Sequence, residues 1–231
     1  MRAPLLVGVV DSGVAAELPR LVAARAFSRG ETGELIAGEA NADPSGHGTQ
    51  ICRLLVEVAG AGGLRPGLLV AQAFSAAGSS PAQLAAAISW LVDAGAAVIN
   101  LSVGLRTAAS ELRLACERAA SAGVVLVASA PARGAPVYPA AYAQCIAVCG
   151  DARCGADEIS SLDGGNADFG AHPGAHPGAV AGDPASRGAS FAAARLSARV
   201  ALLLAAGTTP QEVPATLRAQ ARYHGAERRQ A

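Results

Sequence analysis

The sequence predicts an α/β fold with a doubly wound, mostly parallel central sheet flanked by helices. Continuous apolar runs such as residues 5–10 are typical of parallel strands that are covered on both faces. Longer segments with one apolar face separate these runs and predict helices. Aromatic residues make up only 3% of the chain, while 52% of it is hydrophobic, so we expect a core of closely packed small side chains.

The predicted elements alternate along the chain. Strands are predicted at residues 5–10, 68–74, 97–104, 124–128 and 145–149. Helices are predicted to start after His47, at Pro81, at Glu111, near Ser190 and near Thr209. Residues 17–43 give a mixed signal, for which we predict a short helix and then a loop or hairpin around residues 30–38. The glycine- and proline-rich residues 151–187 predict loops with one short strand.

Length and charge bound the possible functions. The 231 residues predict a single domain over residues 1–222 and a flexible tail over residues 223–231. The 18 basic and 18 acidic residues cancel, which argues against a nucleic-acid or membrane partner. No apolar run approaches the roughly 20 residues of a membrane span. Five cysteines, an odd number, without a signal peptide favour reduced thiols and a cytoplasmic location.

Three polar residues lie at positions where active-site residues are commonly found in such a fold. Asp11 follows the first strand, at the sheet edge where ligands bind in doubly wound folds, although a turn-capping role is equally consistent with its position. His47 lies between two glycines and has a natural role as a general base. Ser190 lies at a predicted helix N-terminus, where a serine is either a cap or a nucleophile.

Together these residues carry a family resemblance. Asp-Ser-Gly at residues 11–13, Gly-His-Gly-Thr at 46–49 and Gly-Ala-Ser-Phe-Ala at 188–192 stand in the order of the subtilisin triad. Residues 98–104 and 123–128 also resemble the family's substrate-binding strand and the strand before its oxyanion residue. The chain is therefore identified as a member of the subtilisin-like serine peptidases, and the resemblance covers nearly its whole length.

The resemblance implies a serine endopeptidase with Asp11, His47 and Ser190 as its triad. It also implies an oxyanion hole that includes the backbone N–H of Ser190. The asparagine that the family uses as the second donor falls on Ala132, so the second donor is unknown; Asn166 and Arg133 are candidates.

The resemblance further implies a substrate pocket. Its predicted wall includes Ser102, Val103, Gly104 and Arg133, and Val137 is expected near its base. Arg133 at the rim would favour an acidic or small residue before the cut, although a solvated loop arginine is an equal alternative.

The cysteines allow a competing interpretation as a zinc site with two histidines. Cys145, Cys149 and Cys154 lack the tight Cys-x-x-Cys spacing that would support it with His172 and His176. We expect these thiols to be small core residues, and we expect no metal and no cofactor. Cys52 follows His47 by five residues and is expected near the active site.

Two functions follow from these patterns. The first is an endopeptidase that processes a specific precursor or leader peptide, for which a complex with the precursor is the expected partner state. The alternative is a catalytically silent module that binds a peptide as an added strand along residues 101–104. The missing asparagine at Ala132 motivates the alternative.

Overall fold

The computed structural model describes residues 4–30, 32–74, 78–162, 164–175 and 187–226. In this part of the chain the strands are β1 (Leu6–Asp11), β2 (Leu21–Arg29), β3 (Leu35–Glu39), β4 (Gly67–Gln72), β5 (Val98–Leu101), β6 (Val125–Ser129), β7 (Cys145–Gly150), β8 (Ile159–Ser161), β9 (Phe169–Ala171) and β10 (Tyr223–His224). The helices are α1 (His47–Ala61), α2 (Pro81–Asp93), α3 (Ser110–Ser121), α4 (Ala189–Ala205) and α5 (Val213–Ala219).

The described strands form one sheet in the order β10-β8-β9-β7-β6-β5-β1-β4-β2-β3. From β2 through β4, β1, β5, β6, β7 to β9, every neighbouring pair is parallel, while β3 and β8 pair antiparallel with β2 and β9. The predicted fold class, an α/β fold with a mostly parallel sheet, is confirmed. The parallel arrangement brings the carboxyl ends of β1 and β5 to one edge.

Alternate residues of the central strands enter two separate cores. Val7 and Val9 of β1 pack with α1, α4 and α5 on one face of the sheet. Val10 packs with α2 and α3 on the other face. Because both faces are covered, the strands read as continuous apolar runs, which is why the sequence predicts them well. No helix among the described residues has the length and apolarity needed to cross a membrane.

The structure corrects the prediction for residues 17–43. The predicted short helix is absent from the described residues of this segment, and β2 and β3 form an antiparallel hairpin at the sheet edge instead. The predicted hairpin around residues 30–38 is confirmed. Alanine and leucine in β2 favour a helix locally, but sheet pairing against β4 and β3 along this nine-residue strand overrides that preference.

Two further predictions differ from the structure near the C-terminal third. The described part of residues 151–187 contains two short strands, β8 and β9, where one was predicted. The predicted flexible tail starts too early, because Tyr223–His224 form β10 beside β8. The Gly225 N–H donates to the carbonyl oxygen of Ser161 at 2.8 Å, which extends this pairing. Residues 227–231 of the predicted tail lie outside the described residues.

Candidate active site

Asp11 and His47 meet at the carboxyl edge of the sheet. Asp11 is the last residue of β1 and only 4% exposed, and His47 is the first residue of α1 with a side chain that is 33% exposed. His47 Nδ1 lies 2.8 Å from Asp11 Oδ1. Asp11 Oδ1 also accepts the backbone N–H of Ser12 at 2.7 Å, which orients the carboxylate. An ionised Asp11 therefore fixes the tautomer with hydrogen on Nδ1 and leaves Nε2 as the basic nitrogen.

Asp43 ties the start of α1 to the turn after β1. Its Oδ1 accepts from Ser12 Oγ at 2.8 Å and from the Gly46 N–H at 3.0 Å. Its Oδ2 accepts from the N–H and the hydroxyl of Thr49 at 2.8 and 2.7 Å. Burial acts to raise the pKa of Asp43, but the hydrogen bonds from Thr49, Ser12 and Gly46 outweigh it, so this pKa lies below its usual value. Asp43 is a residue that the sequence analysis missed.

The two positions that flank His47 require glycine for different structural reasons. Gly46 precedes α1 with φ of 71°, in the left-handed region that favours glycine. At Gly48, a Cβ would overlap the carbonyl oxygen of Gly13. The absence of a side chain at Gly48 lets α1 approach the turn that carries Asp11. This close approach makes the 2.8 Å contact of His47 with Asp11 possible.

Ser190 is the second residue of α4 and is partly exposed. The next residue, Phe191, is buried, and its ring stands edge-on to the His47 ring with 5.7 Å between centroids. Packing of α1 against α4 thus brings the neighbourhood of Ser190 to His47. Among the described residues no hydrogen bond joins Ser190 Oγ to His47, and such bonds commonly shorten only when substrate binds. The first backbone N–H groups of α4 are available to an anion at this end.

Electrostatics favour the protonated form of His47. The hydrogen bond to Asp11 raises the pKa of His47, burial opposes this, and the negative charges of Asp11 and Asp43 add to the rise. The pKa of His47 therefore lies above the usual value for histidine. A histidine with a raised pKa holds an accepted proton more tightly. It is neutral, and therefore able to accept a proton, only at a higher pH.

A buried polar chain connects α4 with the strand beside the site. Asn100 of β5 is fully buried, and its Oδ1 accepts from Ser197 Oγ at 3.0 Å. Its Nδ2 donates to Ser102 Oγ at 2.9 Å. Ser102 is one of the predicted pocket residues, so Asn100 positions part of the predicted wall. The sequence signal for this role is the amide side chain of Asn100 in an otherwise apolar strand.

The predicted pocket residues divide into groups. Gly104 and Val137 are brought together, since a Cβ at Gly104 would lie 3.1 Å from the Val137 side chain. The Val103 side chain is buried in the core, which leaves only its backbone for a peptide. Arg133 is exposed in the loop after β6. Whether these residues bind substrate stays a prediction.

Among the described residues, no hydrogen bond identifies a second oxyanion donor. Ala132 is exposed in the loop after β6. Asn166 Nδ2 donates to the carbonyl oxygen of Gly134 at 2.9 Å, so this side chain supports the same loop. For the described residues, no hydrogen bond connects Asn166 or Arg133 with Ser190.

The thiols are free and buried. The part of the chain that the structure describes contains no group of His, Cys, Asp and Glu side chains able to hold a metal ion, and His176 lies outside it. Burial raises the pKa of Cys149 to about 11. Cys52, in α1, is fully buried, and burial raises its pKa strongly, with the charges of Asp11 and Asp43 adding to the effect.

Comparisons with known proteins agree on one family. The profile of the subtilase family matches residues 3–230. Subtilisin DY of Bacillus licheniformis is 30% identical over 156 residues, which span 62% of this chain and 54% of the relative. A thermostable alkaline protease of Halalkalibacterium halodurans is 31% identical over 151 residues, or 62% of this chain and 40% of the relative. The chain thus spans about half the length of these curated relatives.

One solved structure supports the fold independently of close sequence similarity. The crystal structure of a lanthipeptide protease superposes with a TM-score of 0.69 at 18% identity, covering 93% of this chain and 80% of the other. This likeness concerns the fold.

Proposed function

The chain belongs to the subtilase family, and we propose that it is a serine endopeptidase with Asp11, His47 and Ser190 as its catalytic triad. The observation that carries the proposal is the 2.8 Å hydrogen bond between His47 Nδ1 and Asp11 Oδ1 beside the start of α4. Two helix N-termini and one strand end converge there, from segments that are 36 and 143 residues apart in sequence. A capping role for each polar residue separately would not require this convergence.

In the proposed reaction, Ser190 Oγ attacks the carbonyl carbon of the scissile peptide bond while His47 Nε2 takes its proton. His47 then gives that proton to the leaving amine, and the carbon–nitrogen bond breaks to leave an acyl group on Ser190. Water, activated by His47 in the same way, releases the acyl group and restores the hydroxyl. Asp11 stays ionised and stabilises the imidazolium through its hydrogen bond with Nδ1.

The negative oxygen that forms during attack would be held by the Ser190 N–H at the start of α4. Loss of one oxyanion donor typically costs roughly 10²–10³ in turnover. With Ala132 at the position of the family's asparagine, we propose a slow enzyme whose single substrate is bound tightly. Binding energy from a long peptide contact can then offset weaker stabilisation at the reacting carbon.

We propose a precursor or leader peptide as that substrate. The fold is similar to that of a lanthipeptide protease, and the motif set resembles that of the small protease that matures the peptide subunit of quinohemoprotein amine dehydrogenase. Both resemblances support peptide processing as the function. The free, buried thiols fit a reducing compartment, so we place the enzyme in the cytoplasm. We also propose that residues 1–222 form a single subtilisin-like peptidase domain.

A peptide library tests this function. We expect the protein to create new peptide termini that are absent when Ser190→Ala protein is used, while Ser121→Ala protein, changed at an exposed helix end, cleaves normally. If Arg133 lines the pocket, acidic or small residues will be enriched before the cut. Peptide binding without any cleavage by the wild-type protein would favour the silent peptide-binding module, which Ala132 motivates.

A further inference from the structure

Gln72, the last residue of β4, lies beside Asp11 in the sheet. The parallel register of β1 and β4 pairs Asp11 with Gln72, and the Ala73 N–H donates to the carbonyl oxygen of Asp11 at 3.0 Å. The two strands therefore stay paired up to the carboxyl edge. The partly exposed side chain of Gln72 stands at this edge, where it can reach the turn that follows β1.

Both ends of the Gln72 amide are hydrogen-bonded to backbone groups of other segments. Nε2 donates to the carbonyl oxygen of Ser12 at 2.8 Å, 60 residues away in sequence. Oε1 accepts from the Asn41 N–H at 2.9 Å, 31 residues away. Ser12 directly follows Asp11, and Asn41 lies in the loop that leads into α1 and His47. One side chain thus joins the end of β4 to the turn after Asp11 and to the loop before His47.

The two partners require an amide at this position. The Ser12 carbonyl needs a donor and the Asn41 N–H needs an acceptor, and a primary amide presents both in one planar group. An ionised carboxylate would place an oxygen against the Ser12 carbonyl oxygen, and an ammonium group would offer no acceptor to Asn41. The reversed amide would create the same two conflicts, so the two partners also fix its orientation.

The turn after Asp11 is closely packed against Gln72. A Cβ at Gly13, where φ is 131°, would lie 2.8 Å from Gln72 Nε2 and 3.2 Å from the Cα of Asp43. The hydroxyl of Ser12 donates to Asp43 Oδ1 at 2.8 Å, whereas its carbonyl oxygen is held by Gln72. Asp43 and Gln72 therefore restrain different groups of the same turn, and neither duplicates the other.

We propose that Gln72 is a positioning residue of the proposed triad. Its amide fixes the turn that carries Asp11 relative to the loop that leads into His47, and so maintains the 2.8 Å contact of His47 Nδ1 with Asp11 Oδ1. Gln72 acts through these two residues and touches no reacting atom. The catalytic consequence rests on the proposed function, since a small displacement of a catalytic base is costly in rate.

Gln83 provides a matched control. Its Nε2 donates to the carbonyl oxygen of Phe27 at 2.9 Å, and its Oε1 accepts from the Ser80 N–H at 2.9 Å. The pattern of bonds is the same as for Gln72, but it joins β2 to the start of α2. Gln72→Met and Gln83→Met each lose one bond to a carbonyl and one to an N–H without a change of charge. We expect the unfolding midpoint to fall by about 2–8 °C in both variants.

NMR titration of the His47 ring is the decisive measurement. The hydrogen bond to Asp11 is the main cause that raises the pKa of His47, and the charges of Asp11 and Asp43 add to the rise, while burial opposes it. A looser contact with Asp11 should lower the pKa of His47 towards its usual value in Gln72→Met and leave it unchanged in Gln83→Met. Methionine is uncharged, as glutamine is, so such a fall cannot arise from a new charge. A His47→Ala spectrum identifies the resonance among the four histidines.

The rate of Ser190 labelling by a fluorophosphonate measures the catalytic consequence. We expect labelling to slow by roughly ten- to a hundredfold in Gln72→Met and to stay within about threefold of wild type in Gln83→Met. If Gln72→Met does not fold, Gln72→Asn and Gln83→Asn replace the pair for both measurements. Asparagine is uncharged and one methylene shorter, so at position 72 it cannot keep both bonds.

The two measurements separate this proposal from the proposed function. A fall in the pKa of His47 that is confined to the Gln72 variant supports the positioning role, even if wild-type protein is not labelled. In that case the proposed catalytic function alone fails. Equal titration of His47 in the Gln72 and Gln83 variants overturns the positioning role, whatever the labelling rates.

Discussion

Replacing Asp43 with asparagine tests how the histidine is held in place. Asp43 Oδ1 accepts three hydrogen bonds, from Ser12, Ser45 and Gly46, and Oδ2 accepts two, both from Thr49. An asparagine keeps one accepting oxygen and turns the other position into a donor. Whichever way the amide turns, the N–H of Gly46 or that of Thr49 then faces another N–H, and the turn of chain leading into His47 loses a fixed point.

The size of the effect follows from these bonds. Loss of a charge-assisted bond to a backbone N–H at a helix start costs about 1–2 kcal/mol of unfolding free energy. For a chain of this length, that lowers the unfolding midpoint by about 2–8 °C. Asp168→Asn is the control for activity, because Asp168 Oδ2 accepts the Ala147 N–H at 2.9 Å in another part of the sheet.

The pH dependence of the unfolding midpoint and that of kcat/KM provide two further tests of the role of Asp43. The pKa of Asp43 is lowered in the folded protein, so its contribution to stability is complete above about pH 4, the region of an unperturbed aspartate, and is lost as the pH falls further. The difference in midpoint between wild type and Asp43→Asn should therefore shrink below about pH 4. Since the charge of Asp43 also helps to raise the pKa of His47, the variant's acid limb of kcat/KM should move to lower pH.

Thermal unfolding from pH 3 to pH 8 and the pH profile of peptide cleavage provide the two readouts. Asp168→Asn should lose some stability without moving the acid limb. If Asp43→Asn left both the midpoint at neutral pH and the acid limb unchanged, the assigned role of Asp43 would be wrong.

The remaining predictions concern α1 and the thiols. Gly48→Ala should lower stability by about 1–3 kcal/mol and reduce cleavage, because its Cβ would overlap the Gly13 carbonyl oxygen. Gly60→Ala, in the same helix and facing open space, should instead raise stability by about 0.5–1 kcal/mol; equal unfolding midpoints for the two variants would contradict this reasoning. The buried cysteines, including Cys52, should react with iodoacetamide at neutral pH only after denaturation, as measured by intact mass. Rapid labelling of Cys52 in the native protein would contradict its burial.

Local sequence carried much of the information on the fold and on the proposed triad. The central strands are covered on both faces, so their apolar runs were unambiguous, and Asp11 and His47 stand directly at element ends that the sequence predicts. The β2–β3 hairpin was partly mispredicted because β2 contains good helix formers and is held by pairing with β4.

Roles that depend on long-range packing could not be predicted. Asp43 lies in a loop and acquires its function only when that loop meets Ser12, 31 residues away. The role of Asn100 depends on its hydrogen bond with Ser197, 97 residues later in the chain. Gln72 looks like a polar strand end, and its two side-chain hydrogen bonds form only after two distant segments have packed beside it.

The most direct test of the central claim is covalent labelling by a fluorophosphonate, with the modified residue located by peptide mapping. An activated triad predicts a single adduct on Ser190, absent from Ser190→Ala protein and strongly reduced in His47→Ala and Asp11→Asn proteins that remain folded. An adduct on another residue, or equal labelling of wild-type and His47→Ala proteins, would contradict the claim that His47 and Asp11 activate Ser190.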